Sequence, residues 1–165
     1  MFETNSSSVH ALIICNDSEL KKFKEGQLFL RRVDTSRIWH DEPTLITLNA
    51  AYRLYKEERE ERQSLPRLTK QAFRELLLDP PKTCDYEYQS NDVSWQNKSY
   101  VNWNFSKKKY SKSTLKQLEN YHEAELAGVF SSIEFPKSYT YIKELADAKD
   151  SSEKKTNVLQ FTVWD

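Results

Sequence analysis

The sequence predicts an α+β fold: one domain over residues 1–165, mainly antiparallel sheet, with three to five helices. Three observations predict it. Short β-branched and aliphatic runs stand at both ends of the chain, residues 9–15 and 158–164. The centre, residues 83–105, alternates with a period of two. Between these lie segments with a helical apolar period and recognisable caps. No internal repeat and no linker interrupts them.

Residues 9–15 read as a buried strand. Asn16-Asp17-Ser18-Glu19 then reads as the start of a short helix, with a side-chain oxygen able to cap free backbone N–H groups. Leu20 and Phe23 are its apolar contacts, and Gly26 ends it. Residues 28–33 return as a strand. Residues 34–46 give no clear signal beyond a short extended piece at Ile38, Trp39 and His40. From Thr47 a long helix follows, with Leu48, Ala51, Tyr52 and Tyr55 on its buried face. Its second half is a charge run in which Arg53–Glu57, Lys56–Glu60 and Glu58–Arg62 are spaced for ion pairs on a solvated face. Leu65-Pro66 breaks this helix. Thr69 caps the next one, whose core face is Ala72, Phe73, Leu76 and Leu77, and Pro80-Pro81 stops it. Residues 83–105 read as strands and a hairpin, with Val101, Trp103 and Phe105 on one face and Tyr100, Asn102 and Asn104 on the other. Ser113 caps a helix running through Leu126, closed by Gly128. Residues 129–135 read as a strand, residues 138–145 as a short helix, residues 147–157 as a polar loop, and residues 158–164 as the closing strand.

Composition excludes several function classes. Lys+Arg and Asp+Glu balance at 25 each, so no global field draws the chain to nucleic acid. The two glycines, Gly26 and Gly128, exclude glycine-rich phosphate loops. No apolar run is long enough to span a bilayer. Cys15 and Cys84, far apart and without a CxxC, read as reduced thiols, so a cytoplasmic protein is expected. Aromatic residues make up 13% of this polar chain, and aromatics anchor interfaces.

Three constellations could carry chemistry. The first is the N-terminal polar cluster Asn5, Ser6, Ser7, Ser8 and His10. In an extended chain Ser6, Ser8 and His10 share a face, so a Ser8–His10 pair is a conceivable catalytic unit, and the cluster's hydroxyls and amide suit a phosphate. No orienting acid is evident near it and no nucleophile elbow precedes it. The plainer reading is a polar strand end whose hydroxyls satisfy backbone groups. The second is a metal set drawn from His10, Cys15, His40, Asp41, Cys84 and His122. Only His40 and Asp41 are adjacent, so neither a metal nor a cofactor is expected. The third is the aromatic and basic segment around Tyr100, Trp103, Lys107, Lys108, Lys109 and Tyr110. It suits a protein interface, with the lysines at the rim, or stacking on single-stranded nucleic acid. The balanced charge favours protein. A core hairpin followed by a solvated lysine loop would show the same residues.

The opening, Thr4-Asn5-Ser6-Ser7-Ser8-Val9-His10 followed by an apolar strand, resembles the start of a group of small proteins of low-GC Gram-positive bacteria, their phages and mobile elements. The resemblance spans residues 2–14 and carries no catalytic roles. It implies a context, that of a phage or mobile-element accessory protein. By that origin the expected activity is inhibition of a host defence protein by direct binding, in the manner of anti-CRISPR proteins, with a CRISPR nuclease as one such partner. The alternatives are a phosphate- or nucleotide-handling enzyme built on the N-terminal cluster and a single-strand nucleic-acid binder.

Overall fold

The computed structural model describes residues 2–5, 8–31, 43–81, 105, 109–121, 123–130, 133–134, 139–149 and 156–164. In chain order the elements are β1 (Phe2–Asn5), β2 (Ser8–Asn16), α1 (Asp17–Lys24), β3 (Leu28–Arg31), β4 (Thr44–Thr47), α2 (Leu48–Glu61) and α3 (Lys70–Leu78). They continue with α4 (Lys112–Leu118), α5 (Glu123–Phe130), β5 (Ile133–Glu134), β6 (Thr140–Tyr141), α6 (Lys143–Lys149) and β7 (Thr156–Trp164). Among the described residues the strand pairings are antiparallel, in two sheets ordered β1-β2-β7-β6 and β4-β3-β5. The α+β class predicted from the sequence therefore holds. The chain divides into two compact units, residues 1–48 with 133–165, and residues 49–132.

In the first unit both sheets meet α1. Ile13 and Cys15 of β2, Leu159 and Phe161 of β7, Leu28 and Leu30 of β3 and Phe23 of α1 form one buried cluster. Phe23 lies edge-on to Phe161 at 5.7 Å and to Tyr139 at 5.6 Å, a geometry favoured by ring quadrupoles. The start of α1 follows the sequence signal. Asn16 Oδ1 accepts the Glu19 backbone N–H at 2.9 Å, and Glu19 Oε2 accepts that of Asn16 at 2.8 Å. Gly26 takes φ 68°, which ends the helix where the sequence places the stop. β3, central in its sheet, buries Leu28, Phe29 and Leu30 and exposes Arg31.

The second unit is helical among its described residues. Phe73 of α3 is its centre, with ring centroids 5.2 Å from Tyr55, 5.6 Å from Tyr52 and 5.4 Å from Phe130. The break after α2 is tied down from the helix itself. Tyr52 donates its hydroxyl to the Leu68 carbonyl and Tyr55 donates to that of Pro66, both at 2.6 Å. The predicted faces of α2 and α3 hold, with Ala51, Tyr55, Ala72, Phe73, Leu76 and Leu77 buried. On the charged side of α2, Arg62 pairs with Glu58 at 2.9 Å, and Lys56 lies over the Tyr52 ring.

Six local expectations are corrected. The short helix expected at residues 138–145 is instead β6 followed by α6, and the polar loop expected at 147–157 is helical at its start, through Lys149, and extended at its end, from Thr156. The chain begins with a strand, β1, where the sequence suggests only a polar lead. β4 occupies the end of the stretch that gives no signal. The helix expected from Ser113 through Leu126 is two helices, and the first is capped by Ser111, whose hydroxyl accepts the Thr114 N–H. Gly128 lies inside α5 rather than closing it, and Val129 and Phe130 are helical rather than extended. The reason is tertiary. Phe130 belongs to the Phe73 cluster and is 3% exposed, and that burial outweighs a glycine's cost of about 1 kcal/mol in a helix. The expected hairpin within residues 83–104, the possible short piece at 38–40, and residues 150–155 of the expected polar loop lie outside the described residues.

Candidate functional site

The N-terminal cluster is organised by the register of three strands. Asn5 pairs with Ser8, so two residues, Ser6 and Ser7, separate β1 from β2; both lie outside the described residues. His10 sits opposite Glu3 on β1 and opposite Thr162 on β7. Directly opposed residues in an antiparallel pair share a face, and alternate residues along one strand do so too. Glu3, Asn5, Ser8, His10 and Thr162 therefore share one face of the sheet. Phe2, Ala11, Ile13, Leu159 and Phe161 share the other, and the last three of these are in the core cluster or paired directly to it. The first of these faces continues through Leu12 and Gln160, both half-buried, to Ile14, which is 55% exposed, and Val158 opposite it, which is 2% exposed.

The ladder is irregular at this point. His10 pairs with Thr162 but Val9 pairs with Trp164, so Val163 has no partner in the β2–β7 register. An extra residue of this kind is a bulge, which bends the strand and takes a stretch of backbone out of the ladder. The expected interior position of residues 9–15 holds, since β2 lies between β1 and β7. Glu3 and Thr162 are the residues that sequence reading missed. Neither carries a sequence signal of its own, and both come to the cluster only through strand register.

The aromatic and basic segment is divided by the structure. Lys109 is exposed. Tyr110 is not on the surface: it is 8% exposed, its ring lies 6.2 Å from the buried Phe105, and its hydroxyl donates to the Asp79 carbonyl. The placement of Tyr110 among partner-facing residues is thereby corrected. It is held inward because burial and a carbonyl acceptor satisfy both ends of the side chain, and burial, with Asp79 nearby, raises the phenol pKa well above its ordinary value. Phe105 is buried, in a 3-10 turn rather than the strand expected of it. Tyr100, Trp103, Lys107 and Lys108 lie outside the described residues.

Two further polar groups are accounted for by structure. Glu75 accepts the Ser111 backbone N–H at 2.7 Å, the Ser111 hydroxyl at 3.0 Å and the Thr114 hydroxyl. Burial pulls its pKa up, but the hydrogen bonds from Thr114 and Ser111, with Arg74 nearby, outweigh it and leave the carboxyl below its ordinary value. Cys15 is buried, and desolvation, helped by Glu19 and Asp17, pushes its thiol up to about 11. A thiol with so little thiolate is a core residue rather than a nucleophile. Of the metal set, His10 and Cys15 lie on opposite faces of β2, while His40, Asp41, Cys84 and His122 lie outside the described residues. Among the described residues no group of three His, Cys, Asp or Glu side chains could hold a metal ion, and no helix is long and apolar enough to cross a membrane.

No protein-family model, curated protein or solved structure matches the chain.

Proposed function

We propose that the chain is a binding module acting by direct contact with a protein partner through the surface that carries Lys107, Lys108 and Lys109, with Tyr100 and Trp103 beside it. One observation supports this reading above the others. Phe105 and Tyr110 are both buried, with ring centroids 6.2 Å apart and planes tilted by 44°, so the sequence places three consecutive lysines between two core positions. Three like charges in so short a run suit an acidic protein surface. The resemblance of the N-terminus to phage and mobile-element proteins gives the partner class: a host defence protein such as a CRISPR nuclease, met in the bacterial cytoplasm.

The test is capture from a host lysate, with and without nuclease treatment, followed by binding of the identified partner to the Lys107→Ala/Lys108→Ala/Lys109→Ala variant. The expected partner is stoichiometric and nuclease-resistant. The variant should associate more slowly and with a flatter salt dependence, because rim charges act mainly on the on-rate. A nuclease-sensitive partner would move the reading to single-strand nucleic acid. Unchanged association in the variant would remove this surface from the interface.

A further inference from the structure

Two helices of the second unit carry like charges that no ion pair among the described residues neutralises, and the two sets are opposite in sign. We infer that α4 of one molecule docks, through Lys112 and Lys116, on the acidic end of α2 of a second copy, at Glu57 and Glu61. This contact is separate from the partner-binding reading above and does not rest on it.

The two sets match in spacing. Lys112 and Lys116 stand one turn apart on α4, and Glu57 and Glu61 one turn apart on α2. Each pair spans about 6 Å along its helix axis. All four residues are exposed. Like charges at this spacing repel, so each pair destabilises the helix that carries it. Glu60 and Glu61 also close α2 at its C-terminal end, where the macrodipole disfavours anions. Both helices are anchored by their other faces, α4 through the buried Thr114 and Leu118 and α2 through Ala51 and Tyr55. The charged pairs thus sit on packed helices rather than on loops.

Nearby countercharges are committed elsewhere. Glu75, the carboxylate at the start of α4, accepts hydrogen bonds from Ser111 and Thr114. On α2, Arg62 pairs with Glu58, and Lys56, spaced to reach Glu60, lies over the Tyr52 ring at 5.0 Å. Arg53, one turn before Glu57, and Glu119, three residues after Lys116, are exposed, so water screens what they supply.

A second copy presents both sets in equal number. The formal net charge is zero, so no long-range repulsion keeps copies apart. Seating Lys112 and Lys116 against Glu57 and Glu61 of another copy replaces two repulsions by attractions. The two surfaces differ, so the contact is either reciprocal in a closed pair or runs head to tail. Exposed ion pairs are individually weak, which makes the association weak and salt-sensitive.

Sedimentation equilibrium of the full chain, over a concentration series at about 10 mM and about 0.3 M salt, tests this, because the higher salt cuts the screening length from roughly 30 Å to below 10 Å. The parent should associate at low salt and be monomeric at high salt. Lys112→Glu/Lys116→Glu and Glu57→Lys/Glu61→Lys should each lower the association constant about tenfold or more. The chain carrying all four substitutions should associate again, at the parent's net charge. Lys21→Glu/Lys22→Glu, at exposed positions of α1, changes the net charge as much as the first variant and should weaken association far less. Lys112→Gln/Lys116→Gln serves where a reversed pair disturbs folding, and a dispersed NMR spectrum matching the parent identifies folded variants.

A parent that stays monomeric at low salt overturns the contact. So does association that survives both folded Lys112/Lys116 variants, or an equal loss in Lys21→Glu/Lys22→Glu. A folded fourfold exchange that fails to associate overturns the pairing of α4 with α2. These measurements use the purified chain alone, so failure here is distinguishable from failure of the partner-binding reading.

Discussion

The first unit joins residues 1–48 to residues 133–165, so its hydrogen bonds cross long stretches of chain: Asn157 donates to Asp17 across 140 positions, at 2.9 Å. The second unit is one continuous run, residues 49–132. The first satisfies its backbone through ladders and buries one face of its four-stranded sheet against α1 and β3. The second uses side chains as internal ties, with the hydroxyls of Tyr52, Tyr55 and Tyr110 donating to carbonyls of Leu68, Pro66 and Asp79. The difference bears on what a high aromatic content means. In a polar chain it suggests an interface, but here three of the nine tyrosines hold helices and turns together. Closing a long loop adds only about 0.6 kcal/mol per doubling of its length, so the first unit's long-range pairing is a burden on folding rate more than on stability.

The largest expected effect falls on the second unit. Phe73 is 1% exposed and meets three aromatic rings. Phe73→Ala should cost about 3–5 kcal/mol, from lost transfer energy plus the cavity left behind, read as a lower urea midpoint. Amide exchange sharpens the comparison. Exchange in α2, α3 and α5 should accelerate ahead of exchange at Ile13 and Leu159. Uniform acceleration across both sets would mean that the two units open as one cooperative body.

An intermediate effect is expected at Glu75, the carboxylate that joins α3 to the start of α4. Glu75→Gln keeps one acceptor oxygen where three donors converge, and should cost about 1–3 kcal/mol. The pH dependence has a definite sign. The folded carboxyl sits below its ordinary 4.5, so its stabilisation is present above that value and is lost as pH falls through the folded pKa. The gap between parent and variant should therefore be constant near neutrality and shrink below about pH 4.5. A gap that widens in acid would mean that burial, not the three hydrogen bonds, dominates the site.

Much of the fold is legible wherever a local cause coincides with the tertiary one. The helix start read at residues 16–19 is where α1 begins, closed by a capping box between Asn16 and Glu19, and the core face of α3 is the one its period gives. Legibility fails where a distant group decides. The sequence reading puts a cap at Ser113, whereas Glu75, which binds Ser111 from another helix, goes with a cap two residues earlier. β1 is too short to show a period, and its partner had to be known before Glu3 could be set against His10. The candidate site shares that fate. Ser8 and His10 are readable as a pair, whereas Glu3 and Thr162 come to them only through register.

The smallest effect sets the two glycines against each other. Both read as helix stops in the sequence. Gly26 acts as one, at φ 68°, a region that costs an L side chain about 1–2 kcal/mol. Gly128 does not: it lies within α5, exposed, and a Cβ built there meets nothing within 4 Å. The same substitution should thus have opposite signs in the two units. Gly26→Ala should lower the melting temperature through backbone strain. Gly128→Ala should raise it, by about 0.5–1 kcal/mol of stability, since alanine restricts the unfolded chain and favours the helix. If Gly128→Ala also destabilises, α5 ends at Gly128 in solution, the local stop signal prevails, and the placement of Phe130 against Phe73 would have to be abandoned with it.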